Sequence, residues 1–273
     1  MLYREGRRKA GLRELFRKVV RSESGLEEQW IGTDDFYKEM EDLIFETRTD
    51  LFLPCGGRPE TIDRANWQKL FGPDLPSVSV IVEGANSFMT PQARTEVQKR
   101  GVIVLRDASA NKCGVISSSY EIIANLLMSN KEFLAHKDSY VRDVITILEM
   151  RAQQEAELIF RRHREGNGKV LYTEISDAIS TEINRHYTAL FDYFQSHPEI
   201  TARPIFRRVL LNHLPLFIRA NPRYRMRVKN FPPKITYAIL AGEIASAIVY
   251  HGGWELDFES KLIGYLKARF PEG

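Results

Sequence analysis

The chain has 273 residues, of which 43% are hydrophobic and 27% charged, and carries a net charge of +3. That length and apolar content suffice to bury a full core, with room for two subdomains. No apolar run approaches the roughly 18–20 residues that cross a bilayer, and the opening "MLYREGRRKAGLRELFRKVV" lacks the uninterrupted apolar centre of a secretory signal, so neither membrane insertion nor secretion is expected.

The same opening segment places Leu12, Leu15, Phe16, Val19 and Val20 at helical spacing, which predicts an amphipathic helix; its arginine content also suits an organelle transit peptide. Three short apolar, β-branched runs follow: "DLFL" at 50–53, "VSVIV" at 78–82 and "VIVL" at 102–105. Continuous apolar runs of this length read as strands of a parallel sheet covered on both faces. Between the second and third, Thr90 can cap a helix, Pro91 suits its first position and Gly101 the left-handed residue after its last turn. Between the first and second, "PETIDRANWQKLFG" predicts another helix, so 50–105 reads as βαβαβ, half of a doubly wound domain.

Long helical patterns then take over, the first with Tyr120, Ile123, Leu126 and Leu127, the second over 140–164. Further helices are expected over 171–194, 205–219, 235–250 and 258–270, with Pro204, Pro222, Pro232, Pro233 and the pair Gly252 and Gly253 as punctuation. The fold class is therefore α/β: a partial doubly wound (Rossmann-like) parallel sheet followed by an all-helical region.

Ligands of open parallel sheets bind outside the carboxyl ends of the strands, and each strand here runs into a polar or glycine-rich loop. Gly56 and Gly57 allow backbone to approach a flat ring or a phosphate. Asn86 and Asn111 each offer an amide that donates and accepts, as a carboxamide or a ribose hydroxyl requires. Ser117, Ser118 and Ser119 are placed at the start of a helix, where hydroxyls and unpaired N–H groups favour an anion. Each loop taken singly reads first as a turn, and "SSS" first as a cap; three on one edge favour a site. Cys55 and Cys113 are read as reduced thiols, and the six histidines show no metal spacing, so no metal is expected. "GNGKVL" at 166–171 lacks the third glycine of a nucleotide-binding loop and is rejected.

The loops "DLFLPCGGRPETI", "VEGANSFMTPQAR" and "DASANKCGVISSSYE" closely resemble the carboxyl-terminal half of the large-subunit class of NAD-dependent glutamate dehydrogenases, within the glutamate, leucine, phenylalanine and valine dehydrogenase superfamily. "FPPKITYAILAGEIASAIVY" is similar to the helical end of that class. The resemblance implies an oxidoreductase that uses NAD to convert L-glutamate to 2-oxoglutarate and ammonia. Carried over, Asn86 and Asn111 contact the nicotinamide riboside, Gly56 and Gly57 line the cofactor cleft, and Ser118 binds the side-chain carboxylate of the substrate. No catalytic residue is assigned, because the glycine fingerprint of the first half of the dinucleotide fold, and the domain with the catalytic lysine and aspartate, find no match in 1–49.

The resulting expectation is a carboxyl-terminal portion, incomplete on its own, of a homo-oligomeric enzyme in the cytoplasm or mitochondrion, complemented by a missing amino-terminal portion. It divides into a helical or irregular segment at 1–49, the second half of an NAD-binding domain at 50–116 and a helical region at 117–273. The alternative is a non-catalytic relic or partner-binding module. Between Glu199 and Glu243 lie nine Lys or Arg and no acid, interleaved with aromatics, but no nucleic-acid motif accompanies that charge, and a solvated face or subunit contact is preferred.

Overall fold

In a computed structural model the structure describes residues 2–10, 13–72, 76–252 and 262–271. The amino-terminal segment is not the expected helix. Strands β1 (Leu2–Ala10), β2 (Arg13–Ser22) and β3 (Gly25–Gly32) form an antiparallel sheet in that order, and Leu12 lies outside the described residues. The two-residue turn at Glu23 and Ser24 returns β3 on β2, pairing Phe16 with Ile31 and Val19 with Glu28. This cross-strand pairing overrides the helical spacing, because a short apolar pattern is compatible with either period. Helix α1 (Thr33–Glu46) packs on this sheet, with Phe36 stacked on Phe16 at 4.3 Å between centroids.

Strands β4 (Thr49–Phe52), β5 (Val78–Val82) and β6 (Ile103–Leu105) form a parallel sheet in sequence order. Helix α2 (Pro91–Lys99) crosses from β5 to β6 as expected: Thr90 accepts from the Ala93 N–H, Pro91 opens the helix, and Gly101 takes φ +88° beyond its end. Between β4 and β5 the expected helix is only a 3-10 turn over Trp67–Leu70. Trp67 and Leu70 are nonetheless buried with Ile62, Ile81, Val97 and Val104 in the core of this layer.

The polar stretch after β6 turns helical at once, as α3 (Asp107–Ala110) and α4 (Lys112–Leu127). Ser117, Ser118 and Ser119 are therefore inside a helix and not at its start, and their backbone N–H groups are not the free donors expected there. Helix α5 (Asn130–Glu165) starts on a capping box between Ser129 and Glu132. Helices α6 (Tyr172–Ser196), α7 (Pro204–His213), α8 (Leu216–Ala220), α9 (Pro222–Arg227), α10 (Pro233–His251) and α11 (Leu262–Arg269) complete the region. Pro215 splits the helix expected over 205–219, since its ring blocks continuation. The first residues of the helix expected over 258–270 lie outside the described residues. Helix α10 is apolar nearly all round, and packs against α6 and α7 as the centre of the helical core.

The basic segment is partly neutralised from a distance. Glu132 at the start of α5 receives Arg223 at 2.6 Å and Arg227 at 3.0 Å, and Arg208 donates to the Phe270 carbonyl at 2.8 Å.

Candidate functional site

β4, β5 and β6 point the same way, so the loops after them gather on one edge. Backbone bonds join these loops to one another. Ala85 N–H donates to the Pro54 carbonyl at 2.6 Å, and Glu60 N–H to the Ser87 carbonyl at 2.7 Å. Ser87, at φ +54°, turns its own N–H to Asp107 Oδ2 at 2.8 Å. A Cβ on Gly84 would lie 3.0 Å from Cys55 Sγ and 3.4 Å from the Pro54 carbonyl, which is why the crossing requires glycine.

Beneath the middle loop lies a buried ion pair that sequence reasoning missed. Glu83, fully buried at the end of β5, accepts Arg94 Nε at 2.7 Å, Arg94 Nη2 at 3.1 Å and the Met89 N–H at 3.0 Å. Burial outweighs these contacts and holds the Glu83 carboxyl above the usual carboxylate range. Asp107, also near Arg94, goes the other way. Burial pushes it up, but the Ser87 N–H, Arg94, the Ala108 N–H and Arg106 outweigh that and hold it below the usual range. An acid ending an apolar strand, with an arginine four positions into the next helix, is the signal that could have revealed the pair.

Above this support Asn111 Nδ2 donates to Asn86 Oδ1 at 2.8 Å. That bond orients both amides and leaves Asn86 Nδ2 and Asn111 Oδ1 as a donor and an acceptor beside it, without a protein partner among the described residues. Both asparagines line an open cleft of about 480 Å³ together with Arg106, Lys112, Val115 and Ser118. Gly114, where a Cβ would come 3.1 Å from Asn111 Oδ1, lets the first turn of α4 sit close to the amide. Ser118 Oγ reaches back to the Gly114 carbonyl at 3.4 Å, a long bond that a better acceptor in the cleft would replace. The structure thus brings Asn86, Asn111 and Ser118 to one cleft. Gly56 and Gly57 lie in the adjoining loop and not on its lining, with Gly57 at φ +110° against the ring of Phe88. Cys55 and Cys113 are free thiols, and burial pushes the Cys113 thiol up.

The turn bearing Asn111 is held from behind. Glu155, on α5 and 3% exposed, accepts Lys112 Nζ and Ser109 Oγ, each at 2.8 Å, and Tyr250 Oη at 2.5 Å. Arg106 pairs with Asp107 at 3.4 Å and with Asp177 of α6. Apart from Asp107, none of these partners is close in sequence. Among the described residues no group of His, Cys, Asp and Glu side chains could hold a metal ion, and no helix is long and apolar enough to cross a membrane.

The chain is similar to proteins of a known family. Residues 7–179 match the model of the Glutamate/Leucine/Phenylalanine/Valine dehydrogenase family. Over 215 residues the chain is 34% identical to the probable NAD-specific glutamate dehydrogenase of Schizosaccharomyces pombe, covering 74% of this chain and 19% of that protein. It is 33% identical over 234 residues to the NAD-specific glutamate dehydrogenase of Neurospora crassa, covering 79% and 22%. Glutamate dehydrogenase 2 of Dictyostelium discoideum is 33% identical over 216 residues, covering 75% and 20%. The chain thus spans about a fifth of the length of these relatives.

Proposed function

This chain belongs to the Glutamate/Leucine/Phenylalanine/Valine dehydrogenase family, and from that premise we propose that its strand-end loops form one wall of the active-site cleft of an NAD-dependent glutamate dehydrogenase. The reaction is the oxidative deamination of L-glutamate to 2-oxoglutarate and ammonia. The observation that carries this reading is the Asn86–Asn111 amide pair at the mouth of a cleft that Ser118 also lines.

The residues present fit the cofactor. Asn86 Nδ2 and Asn111 Oδ1 stand together as a free donor and acceptor, the complement of a carboxamide or a ribose hydroxyl. Bound there, NAD supplies the acceptor for the hydride leaving the α-carbon of glutamate. Ser118 donates its hydroxyl to the substrate's side-chain carboxylate. The Glu83–Arg94 pair and Glu155 hold the two asparagine-bearing loops in place, so that orientation is set before the ligands arrive. Gly56 and Gly57 border the cofactor's approach from the adjoining loop.

The opposite wall, with the lysine and aspartate needed for proton transfer, would come from a complementary amino-terminal portion. β4 supports that arrangement, because among the described residues it is an edge strand, with Leu51 in it and Leu53 just after it about half exposed beside unpaired backbone groups. The same edge would serve a non-catalytic partner-binding module, the second reading. The test is glutamate-dependent NAD reduction by the chain alone and mixed with the amino-terminal portion of a relative. Activity confined to the mixture and reduced by Ser118→Ala is the expected result. No activity in either case, from soluble and folded protein, would overturn the dehydrogenase reading in favour of the second.

A further inference from the structure

Helix α4 is a partition between two spaces. Val115 and Ser118 line the cleft at the strand ends, whereas Ile116, Ser119, Tyr120 and Ile123 line a second pocket of about 450 Å³ on the other side, bounded also by α5, α6 and α10. Lys112 borders both. The second pocket falls in the range of small-molecule sites, roughly 300–1,000 Å³. It reaches the backbone of α10, since a Cβ on Gly242 would meet nothing within 4 Å.

Its chemistry is two-sided. Ile183, Ile239 and the ring of Tyr187 make an apolar wall. Arg151, only 15% exposed, also lines the pocket and gives Nη2 to Glu243, and its other N–H groups have no acceptor among the described residues. The hydroxyls of Ser119 and Ser246 line the same pocket and also lack a protein partner among those residues. Glu243 meets two donors on Oε2, Arg151 Nη2 and, at 3.0 Å, His213 Nδ1, so its charge is compensated within the protein. Unused guanidinium and hydroxyl donors, partly enclosed in a pocket that hydrocarbon also lines, suit a carboxylate on an apolar body. The second cation at the rim, Lys112, is paired with Glu155, so the pocket lacks the additional free charge that a dicarboxylate would need.

We infer that this pocket binds a small apolar monocarboxylate, its carboxylate on Arg151 and the Ser119 and Ser246 hydroxyls. The site is separate from the strand-end cleft and does not depend on the dehydrogenase reading.

The test is calorimetric titration of the whole chain with 4-phenylbutyrate and with 4-phenylbutan-1-ol, which has the same hydrocarbon body and no charge. The acid binds, and the alcohol binds at least about tenfold more weakly. Gly242→Leu fills the pocket and weakens the acid at least about tenfold, in a protein whose thermal midpoint is held or raised because leucine replaces a helical glycine. No binding of the acid at millimolar concentration, equal binding of acid and alcohol, or undiminished binding to folded Gly242→Leu would each overturn the inference. The acid–alcohol comparison decides the matter even if Gly242→Leu does not fold. None of these readings requires dehydrogenase activity.

Discussion

The Glu83 carboxylate takes both Nε and Nη2 of Arg94, at 2.7 and 3.1 Å, with the two side chains 0% and 7% exposed. The pair joins the end of β5 to the first turns of α2 and spans the loop that carries Asn86. Arg94→Met would leave a buried carboxylate facing no cation, and the expected loss is about 3–5 kcal/mol in urea unfolding. The loss depends on pH. Glu83 already has its carboxyl raised by burial, so its contribution is fullest at low pH and declines as pH rises through the folded value. Removing Arg94 raises that value further, and the gap between variant and wild type should widen from about pH 4 to pH 8. A constant gap would show that the pair is not electrostatically coupled.

Glu243 carries the opposite sign. Burial disfavours its charge, but the hydrogen bond from His213 and the charge of Arg151 prevail and bring its pKa down to about 2, from 4.5. Its stabilisation is therefore complete above pH 4.5 and lost as pH falls from there towards 2. At about 1.4 kcal/mol per unit, on the order of 3 kcal/mol should disappear across that window. Urea midpoints measured from pH 7 to pH 2 should show this decline, and Glu243→Gln should be less stable at pH 7 and flatter across the acid limb.

Glu155 receives three donors from three elements, Ser109 and Lys112 near Asn111 and Tyr250 of α10. Glu155→Leu should cost about 3 kcal/mol, because a buried hydroxyl and a partly buried ammonium lose their acceptor. Glu155→Gln should cost about 1–2 kcal/mol, since the amide still accepts. In both variants the Asn86 and Asn111 side-chain amide resonances should shift, as the turn between α3 and α4 is released. Unchanged resonances would mean that the turn is held without Glu155.

Gly56 and Gly57 are adjacent but not equivalent. A Cβ on Gly56 meets nothing within 4 Å, whereas Gly57 sits at φ +110° with Phe88 Cε2 at 3.1 Å from a Cβ. Gly56→Ala should be nearly neutral, and Gly57→Ala should cost about 1–3 kcal/mol through backbone strain. Thermal unfolding of the two variants side by side distinguishes them; equal midpoints would remove the argument that this turn requires a left-handed glycine.

What local sequence could determine was the layer from β4 to β6. The β-branched runs, the Thr90 cap, Pro91 and Gly101 act within a few residues of where they stand, and the strands and α2 lie where those signals put them. Asn86 and Asn111 were readable for the same reason, as polar groups in the stretches after strands, and Ser118 as part of the polar run that follows β6. Non-local pairing decided the rest. Leu15, Phe16, Val19 and Val20 fit a helix by spacing, yet hydrogen bonding to β3 makes them a strand, and no window within the segment contains that partner. The 107–121 stretch is helical because α4 packs against α5, although its small polar residues do not themselves favour a helix. Glu155 stabilises the Asn111 turn from 43 residues away and meets Tyr250 from 95. Only the folded chain brings those groups within hydrogen-bond distance, so the residues that hold the cleft come from the tertiary structure, while Asn86, Asn111 and Ser118 on its lining were already visible in the sequence.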